Sequence, residues 1–160
     1  KGNISEIAYL AEGIGTTKGV DANLDALSTE GNLSWHTDLA RKVSAQTGAA
    51  IVISGPIDIV ADSHEAWAIR NGHPMMANIT GTGCMSAGVI GCCVGADPQA
   101  LLPSCVCAMS AMGICGELAY EKLLSVDGGS GTYRVLLMDA MSKLDGTTLT
   151  HRSKAERLRI

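Results

Sequence analysis

The chain has 160 residues, enough for one sizeable core, and 46% hydrophobic against 18% charged residues places it among globular proteins. A net charge of −4 gives no electrostatic reason to expect nucleic acid or an anionic membrane surface as a partner. The six cysteines, Cys84, Cys92, Cys93, Cys105, Cys107 and Cys115, crowd into apolar stretches without the C-x-x-C pairs or interleaved histidines of a zinc site, so they read as reduced, buried thiols that pack the core.

In chain order, GNISEIAYLAEG puts Ile4, Ile7, Ala8 and Ala11 on one helical face, with Asn3 as N-cap and Glu6 three residues on, the spacing of a capping box. No apolar core of a signal peptide follows Lys1 in KGNISEIAYL, so a cytoplasmic location is expected. TTKGVDANLDALSTEGN has turn residues and little periodicity and is expected to be a loop. SWHTDLARKVSAQTG then spaces Trp35, Leu39 and Val43 as a helix, capped by Ser34 and closed by Gly48. The β-branched run AAIVIS predicts a strand of a parallel sheet buried on both faces, with SGPID at its carboxyl end. EAWAIRNGHPMMANI predicts an antiparallel hairpin turning at Asn71-Gly72.

From Thr82 to Ala96 the chain is apolar nearly all round, which predicts a helix buried on most sides, and Asp97-Pro98 opens another that runs past Tyr120. MSAGVIGCCVGA is too short to span a bilayer, and ALLPSCVCAMSAMGICG is borderline in length; their Ala, Gly, Ser and Cys suit close packing in a core rather than lipid contact. GGSG breaks the pattern before TYRVLLMDAMSKL, where Val135, Leu136, Met138, Met141 and Leu144 predict a last amphipathic helix. The tail THRSKAERLRI is charged and expected to be solvated.

Chemistry concentrates at NITGTGC. Gly81 and Gly83 allow a tight bend in which consecutive N–H groups face one anion, and the helix opening there adds the positive end of its dipole. Gly81, Thr82, Gly83 and Cys84 therefore form a candidate anion hole, with a plain helix-entry turn as the competing reading. No Lys-Ser/Thr follows, so this is not a Walker A loop, and the spacing is not G-x-G-x-x-G. Cys84 stands where a helix dipole favours a reactive thiol, although a small packing residue is the simpler reading. Asn3 and Glu6 are first a capping box; the functional alternative is a carboxylate holding Mg2+ through water beside phosphates.

Taken together and in order, KGNISEI, KGVDA, ISGPIDIVADSHEAWAIRNGHP, NITGTGCMSAGVIG and GGSGTYRVLLMDAMSKL closely resemble the C-terminal part of the hydroxyethylthiazole kinase family, thiamine-salvage enzymes of the ribokinase-like superfamily. The resemblance spans nearly the whole chain. It implies an α/β fold, a ribokinase-like parallel sheet with helices on both faces, of which residues 1–160 are the C-terminal portion of a single kinase domain. It also implies transfer of the γ-phosphoryl group of ATP, with Mg2+, to the primary alcohol of 4-methyl-5-(2-hydroxyethyl)thiazole.

By the same resemblance, Lys1 and Ser54 match ATP contacts that are often Arg and Thr in relatives, and Gly81 matches an acceptor-site glycine. Cys84 ends the anion hole where the superfamily usually has a catalytic aspartate, and Asn3 and Glu6 match its metal and phosphate motif. Family members form trimers with active sites between subunits, and they are longer on the N-terminal side. A homotrimer is therefore expected, together with an N-terminal segment or companion chain. Two other readings are a hydroxymethylpyrimidine kinase of the same superfamily and a non-catalytic nucleotide-binding or assembly fragment.

Overall fold

Residues 1–14 and 29–159 are described by a computed structural model of the chain, and they group into two units, Lys1–Ile69 with Glu156–Ile160, and Arg70–Ala155. The KGVDA segment and most of its expected loop lie outside the described residues.

The first unit holds helices α1 (Ile4–Ile14) and α2 (Leu33–Thr47) and strands β1 (Ile51–Ile53), β2 (Asp58–Ala61) and β3 (Ala66–Ile69), with β4 (Ala155–Arg157) completing the sheet order β1-β2-β3-β4. The α/β class stands, but the described strands depart from the parallel pairing expected of them. β1 pairs antiparallel with β2 (Ile51 with Ala61, Ile53 with Ile59), and β2 antiparallel with β3 (Ile59 with Ala68, Ala61 with Ala66). The reason is the links: residues 54–57 and 62–65 are far shorter than the roughly dozen residues that a parallel crossover needs. The second link is tied by Asp62, whose Oδ1 accepts from His64 N at 2.7 Å and Glu65 N at 2.8 Å, an Asx turn. Parallel pairing survives at one bridge, Gly2 with Ile53, on the outer side of β1.

Because strand side chains alternate, Ile51, Ile53, Ile59, Ala61 and Ala66 share one face. There they meet Ile4, Ile7, Ala8 and Ala11 of α1 and Leu39, Ala40 and Val43 of α2 in one core cluster. Each fully buried Ile or Val contributes roughly 1.5–3 kcal/mol over leaving it exposed. The opposite face is buried too, through Val52, Val60 and Ile69. α2 begins one residue before the expected Ser34 cap, at Leu33, because Asn32 is the N-cap residue and its Oδ1 closes a turn onto Thr29 N at 2.7 Å. It ends as expected at Gly48, which takes the left-handed φ of 72° and donates its N–H to Ser44 O.

The second unit is helical: α3 (Thr82–Ala96), α4 (Leu101–Leu123), α5 (Ser130–Lys143) and α6 (Gly146–Arg152), with α4 packed against both α3 and α5. Its core is Ile79, Met112, Cys115, Ala119, Leu123, Tyr133 and Leu137. α4 is long and apolar enough to cross a membrane by length and composition, yet 67% of its most apolar stretch is buried inside the fold, the pattern of a core helix. α5 buries Tyr133 and Leu137 and half-buries Met141 and Leu144, whereas Val135 and Met138, expected on the core face, are exposed. The i, i+4, i+8 row from Tyr133 wins because its ring is wholly buried and its hydroxyl donates to Gly116 O at 2.9 Å.

Further expectations change. No second strand follows Asn71-Gly72; Pro74–Asn78 is a 3-10 turn capped by His73, whose Nδ1 accepts from Met75 N at 3.1 Å. Pro74 has no N–H to give a ladder, and the Asn71 side chain is committed to α4 and the segment after α6. Its Nδ2 donates to Glu117 Oε1 and Arg152 O, and its Oδ1 accepts from Lys154 N at 2.7 Å. α3 is not buried on most sides: Ser86 alone is fully buried, because packing on α4 covers only one side of it among the described residues, and Cys84 and Cys92, expected to be buried, are therefore exposed. The tail is not a free solvated segment, since Asp145 caps α6 through Thr148 N at 2.7 Å and Leu158 N donates to Ala66 O at 2.8 Å. α4 also starts at Leu101 rather than at Asp97-Pro98.

Candidate functional site

The residues singled out in the sequence fall into two groups, one in each unit. In the first, Gly2 organises the surroundings of Lys1, Asn3, Glu6 and Ser54. Gly2 N donates to Val52 O at 3.0 Å, Ser54 N donates to Gly2 O at 2.9 Å, and the Ser54 hydroxyl donates to the same oxygen at 3.3 Å. The start of the chain is thereby laid along the end of β1, with Ser54 at the strand's carboxyl end.

Asn3 and Glu6 form the capping box that their spacing predicts. Asn3 Oδ1 accepts from Glu6 N at 2.9 Å while Glu6 Oε2 accepts from Asn3 N at 2.7 Å, and the Ser5 hydroxyl also donates to Asn3 Oδ1 at 2.9 Å. Two of the donors that α1 leaves without an intrahelical partner are satisfied in this way. The structural reading of N-x-x-E is thus realised, and the carboxylate keeps its second oxygen, Oε1, outside the cap.

Asp58 is the residue that sequence reasoning missed. It opens β2 almost wholly buried, and its Oδ1 accepts from Gly55 N at 2.9 Å, which ties the Ser54–Ile57 turn. Burial pushes its carboxyl up to about 7, against the opposing pull of the Gly55 N–H and the Lys1 charge. A carboxyl so displaced, within the field of Lys1 and one turn from Ser54, makes Asp58 a candidate for the site. The signal was in the sequence: a lone acid inside the apolar run GPIDIVA.

The second group is the turn into α3. Gly81 is its N-cap residue with φ of 95°, a left-handed conformation that disfavours any residue with a side chain, while a Cβ at this position would meet open space. The glycine is therefore required by backbone direction rather than by crowding. As a glycine, the N-cap residue brings no side chain to the helix start. The Thr82 hydroxyl is turned back to Met76 O at 3.4 Å and that of Ser86 to Gly83 O at 2.8 Å, so neither occupies the turn. Cys84 follows at the third helical position with its thiol exposed. A helix start opened by a left-handed glycine can receive an anion on backbone N–H groups with dipole support.

No group of three or more His, Cys, Asp or Glu side chains that could hold a metal occurs among the described residues. The profile of the hydroxyethylthiazole kinase family matches residues 1–147. The chain is 49% identical to the hydroxyethylthiazole kinase of Desulfovibrio desulfuricans over 100% of its own length and 59% of that protein. It is 42% identical to the enzyme of the same name from Clostridium acetobutylicum, over 98% of its own length and 57% of that protein. The solved structure of a hydroxyethylthiazole kinase protein from Pyrococcus horikoshii OT3 superposes with a TM-score of 0.79 at 22% identity, covering 98% of this chain and 53% of that one. The chain thus spans somewhat more than half the length of the relatives it matches. Motif order, fold and a match across nearly every residue agree: the chain belongs to the hydroxyethylthiazole kinase family.

Proposed function

We propose that the protein carrying this chain transfers the γ-phosphoryl group of ATP to the primary alcohol of 4-methyl-5-(2-hydroxyethyl)thiazole. Family membership together with the left-handed Gly81 turn at the start of α3 is the observation that carries the reading. Phosphoryl transfer asks a protein chiefly for positioning and for neutralisation of charge on the transferring group. The backbone of Gly81 to Cys84 serves the second need at the acceptor side, Gly81 also bordering the alcohol. Lys1 and Ser54 hold the nucleotide, and Asp58 fixes the turn that presents Ser54. Cys84 orients the acceptor hydroxyl or takes its proton late in the transfer, which requires little basicity.

The donor set suits a magnesium ion that keeps most of its water and travels with the phosphates, since Glu6 Oε1 lies outside the cap and can accept from such a water. Bound there, the ion would neutralise phosphate charge. A homotrimer with acceptor pockets shared between subunits completes the proposal.

Initial rates with hydroxyethylthiazole and with hydroxymethylpyrimidine, measured side by side on the full polypeptide with MgATP, test it. A clear preference for the thiazole alcohol is expected. Equal rates or a pyrimidine preference would move the assignment to the sister kinase, and nucleotide binding without turnover of either alcohol would leave a binding module.

A further inference from the structure

Cys93, Cys105 and Cys107 lie near one another where α3 packs on α4, with the exposed Cys92 beside Cys93 in the chain, and the function proposed above uses none of them. On α3, Ser86, Val89, Ile90 and Cys93 form the covered row at helical spacing, so Cys93 belongs to the side that meets α4. The two helices are joined by residues 97–100 only, which makes them antiparallel neighbours and sets the end of α3 beside the opening turns of α4. Cys93 and Cys107 are both half-buried reduced thiols at that level, and the Cys107 thiol lies close enough to act on the ionisation of Cys93 by charge and by hydrogen bonding. Cys92 and Cys105 are near enough to act on it by charge alone.

We propose that Cys93 and Cys107 are a peroxide-oxidisable thiol pair, a modification site that ties α3 covalently to α4. Cys93 stands on the α4-facing row of α3, and the short link holds the two helices side by side, the placement a disulfide between helices needs. No other pairing has the same support. Cys115 is buried with its thiol turned to Met141 Sδ at 3.9 Å, and Cys84 lies at the far end of α3, about 13 Å along the axis.

The oxidation balances with hydrogen peroxide as the oxidant. One thiolate sulfur forms a bond to a peroxide oxygen as the O–O bond breaks, giving a sulfenic acid and hydroxide, which takes up the proton the thiol released and becomes water. The second thiol sulfur then displaces that oxygen, which leaves with the proton as water. Two thiols and one peroxide yield one disulfide and two waters. Burial and the neighbouring thiols push Cys93 up, so the reaction is slow at neutral pH and quickens as pH rises.

The test exposes the full chain to hydrogen peroxide at mildly alkaline pH, quenches it with an alkylating agent in denaturant, and maps the peptides. An intramolecular Cys93–Cys107 link is expected, with the free thiol titre reduced by two per chain and restored by dithiothreitol. The link should vanish in Cys93→Ser and in Cys107→Ser and persist in Cys92→Ser. Mapping the unsubstituted chain decides the matter even if a variant fails to fold. A link that omits either residue, sulfinic acid at these positions without a link, or both thiols still free after Cys84 has been oxidised overturns the proposal.

Discussion

Cys84 is where chemistry and packing make opposite predictions for one side chain. Its thiol is exposed, so no core contact constrains a replacement. Cys84→Asp is expected to keep or raise turnover, and Cys84→Ala to lower it by less than about a hundredfold, because positioning and phosphate charge neutralisation remain. Steady-state kinetics on the two variants separate a base or orienting role from none: an Ala variant with full activity would make the thiol dispensable. Asp58 makes a prediction in pH. Its carboxyl stands at about 7 in the fold against 3.8 in the open chain, so between these values the folded state holds the extra proton. Burying the charge costs stability above about pH 7, and that cost is relieved as pH falls from about 7 toward 4. Asp58→Asn keeps an acceptor for Gly55 N and should flatten this slope, gaining on the order of a few kcal/mol above pH 7. His36 slopes the other way. Both its ring nitrogens are buried without partners and burial lowers its pKa, so the unfolded chain binds the proton more readily and stability falls as pH drops through about 6.5 and below. His36→Leu should remove that acid loss and add about 1–3 kcal/mol by deleting orphaned polar atoms. Denaturant titrations of both variants across pH 4 to 8 check the two signs independently, and a Leu variant that is less stable than the parent would show that the imidazole has a role in packing.

Among the elements, those written in residue periodicity were legible and those decided by tertiary contacts were not. The α1 capping box, the α3 bounds Thr82–Ala96 and the left-handed closure at Gly48 follow directly from local chemistry. AAIVIS was recognisable as a buried strand, but its partner's direction depends on link length, and the apolar content of the run says nothing about that. The turn at Asn71-Gly72 misled because Asn-Gly is a hairpin signal only when both flanking runs can pair. Here the Asn71 amide is claimed by Glu117, Arg152 and Lys154, residues far along the chain that no local reading could supply. The glycine turn was legible as the start of α3, whereas Asp58 was hidden inside a strand-like run. The Asn71 clamp explains a glycine on α4: a Cβ at Gly113 would sit 2.6 Å from the Asn71 carbonyl group. Gly113→Ala is therefore expected to destabilise by about 1–3 kcal/mol despite the better helix propensity of alanine. Asn3→Ala should cost about 1 kcal/mol through the lost cap. Chemical denaturation measures both, and a Gly113→Ala protein as stable as its parent would mean that the Asn71 segment yields without loss.

At the scale of the whole molecule, the exposed side of α3 calls for an explanation. Cys84, Ala87, Gly88, Gly91, Cys92 and Gly95 follow helical spacing along one exposed stripe, and a Cβ at Gly88, Gly91 or Gly95 would meet nothing within 4 Å. Glycine inside a helix costs roughly 0.5–1 kcal/mol relative to alanine, and nothing in the described residues uses the room it leaves. Such a stripe suits the close approach of another backbone. A ring of identical heterologous contacts would cover it on every copy and leave no open face, which supports the proposed homotrimer. Sedimentation equilibrium of the full polypeptide should therefore give three times the chain mass. Gly91→Leu should lower that mass toward the monomer while leaving the helical circular dichroism unchanged, because the added side chain has open space within its own chain. A wild-type monomer that turns over normally would end the trimer proposal. A Gly91→Leu protein that remains trimeric but loses thermal stability would instead show that the stripe is covered from within its own polypeptide.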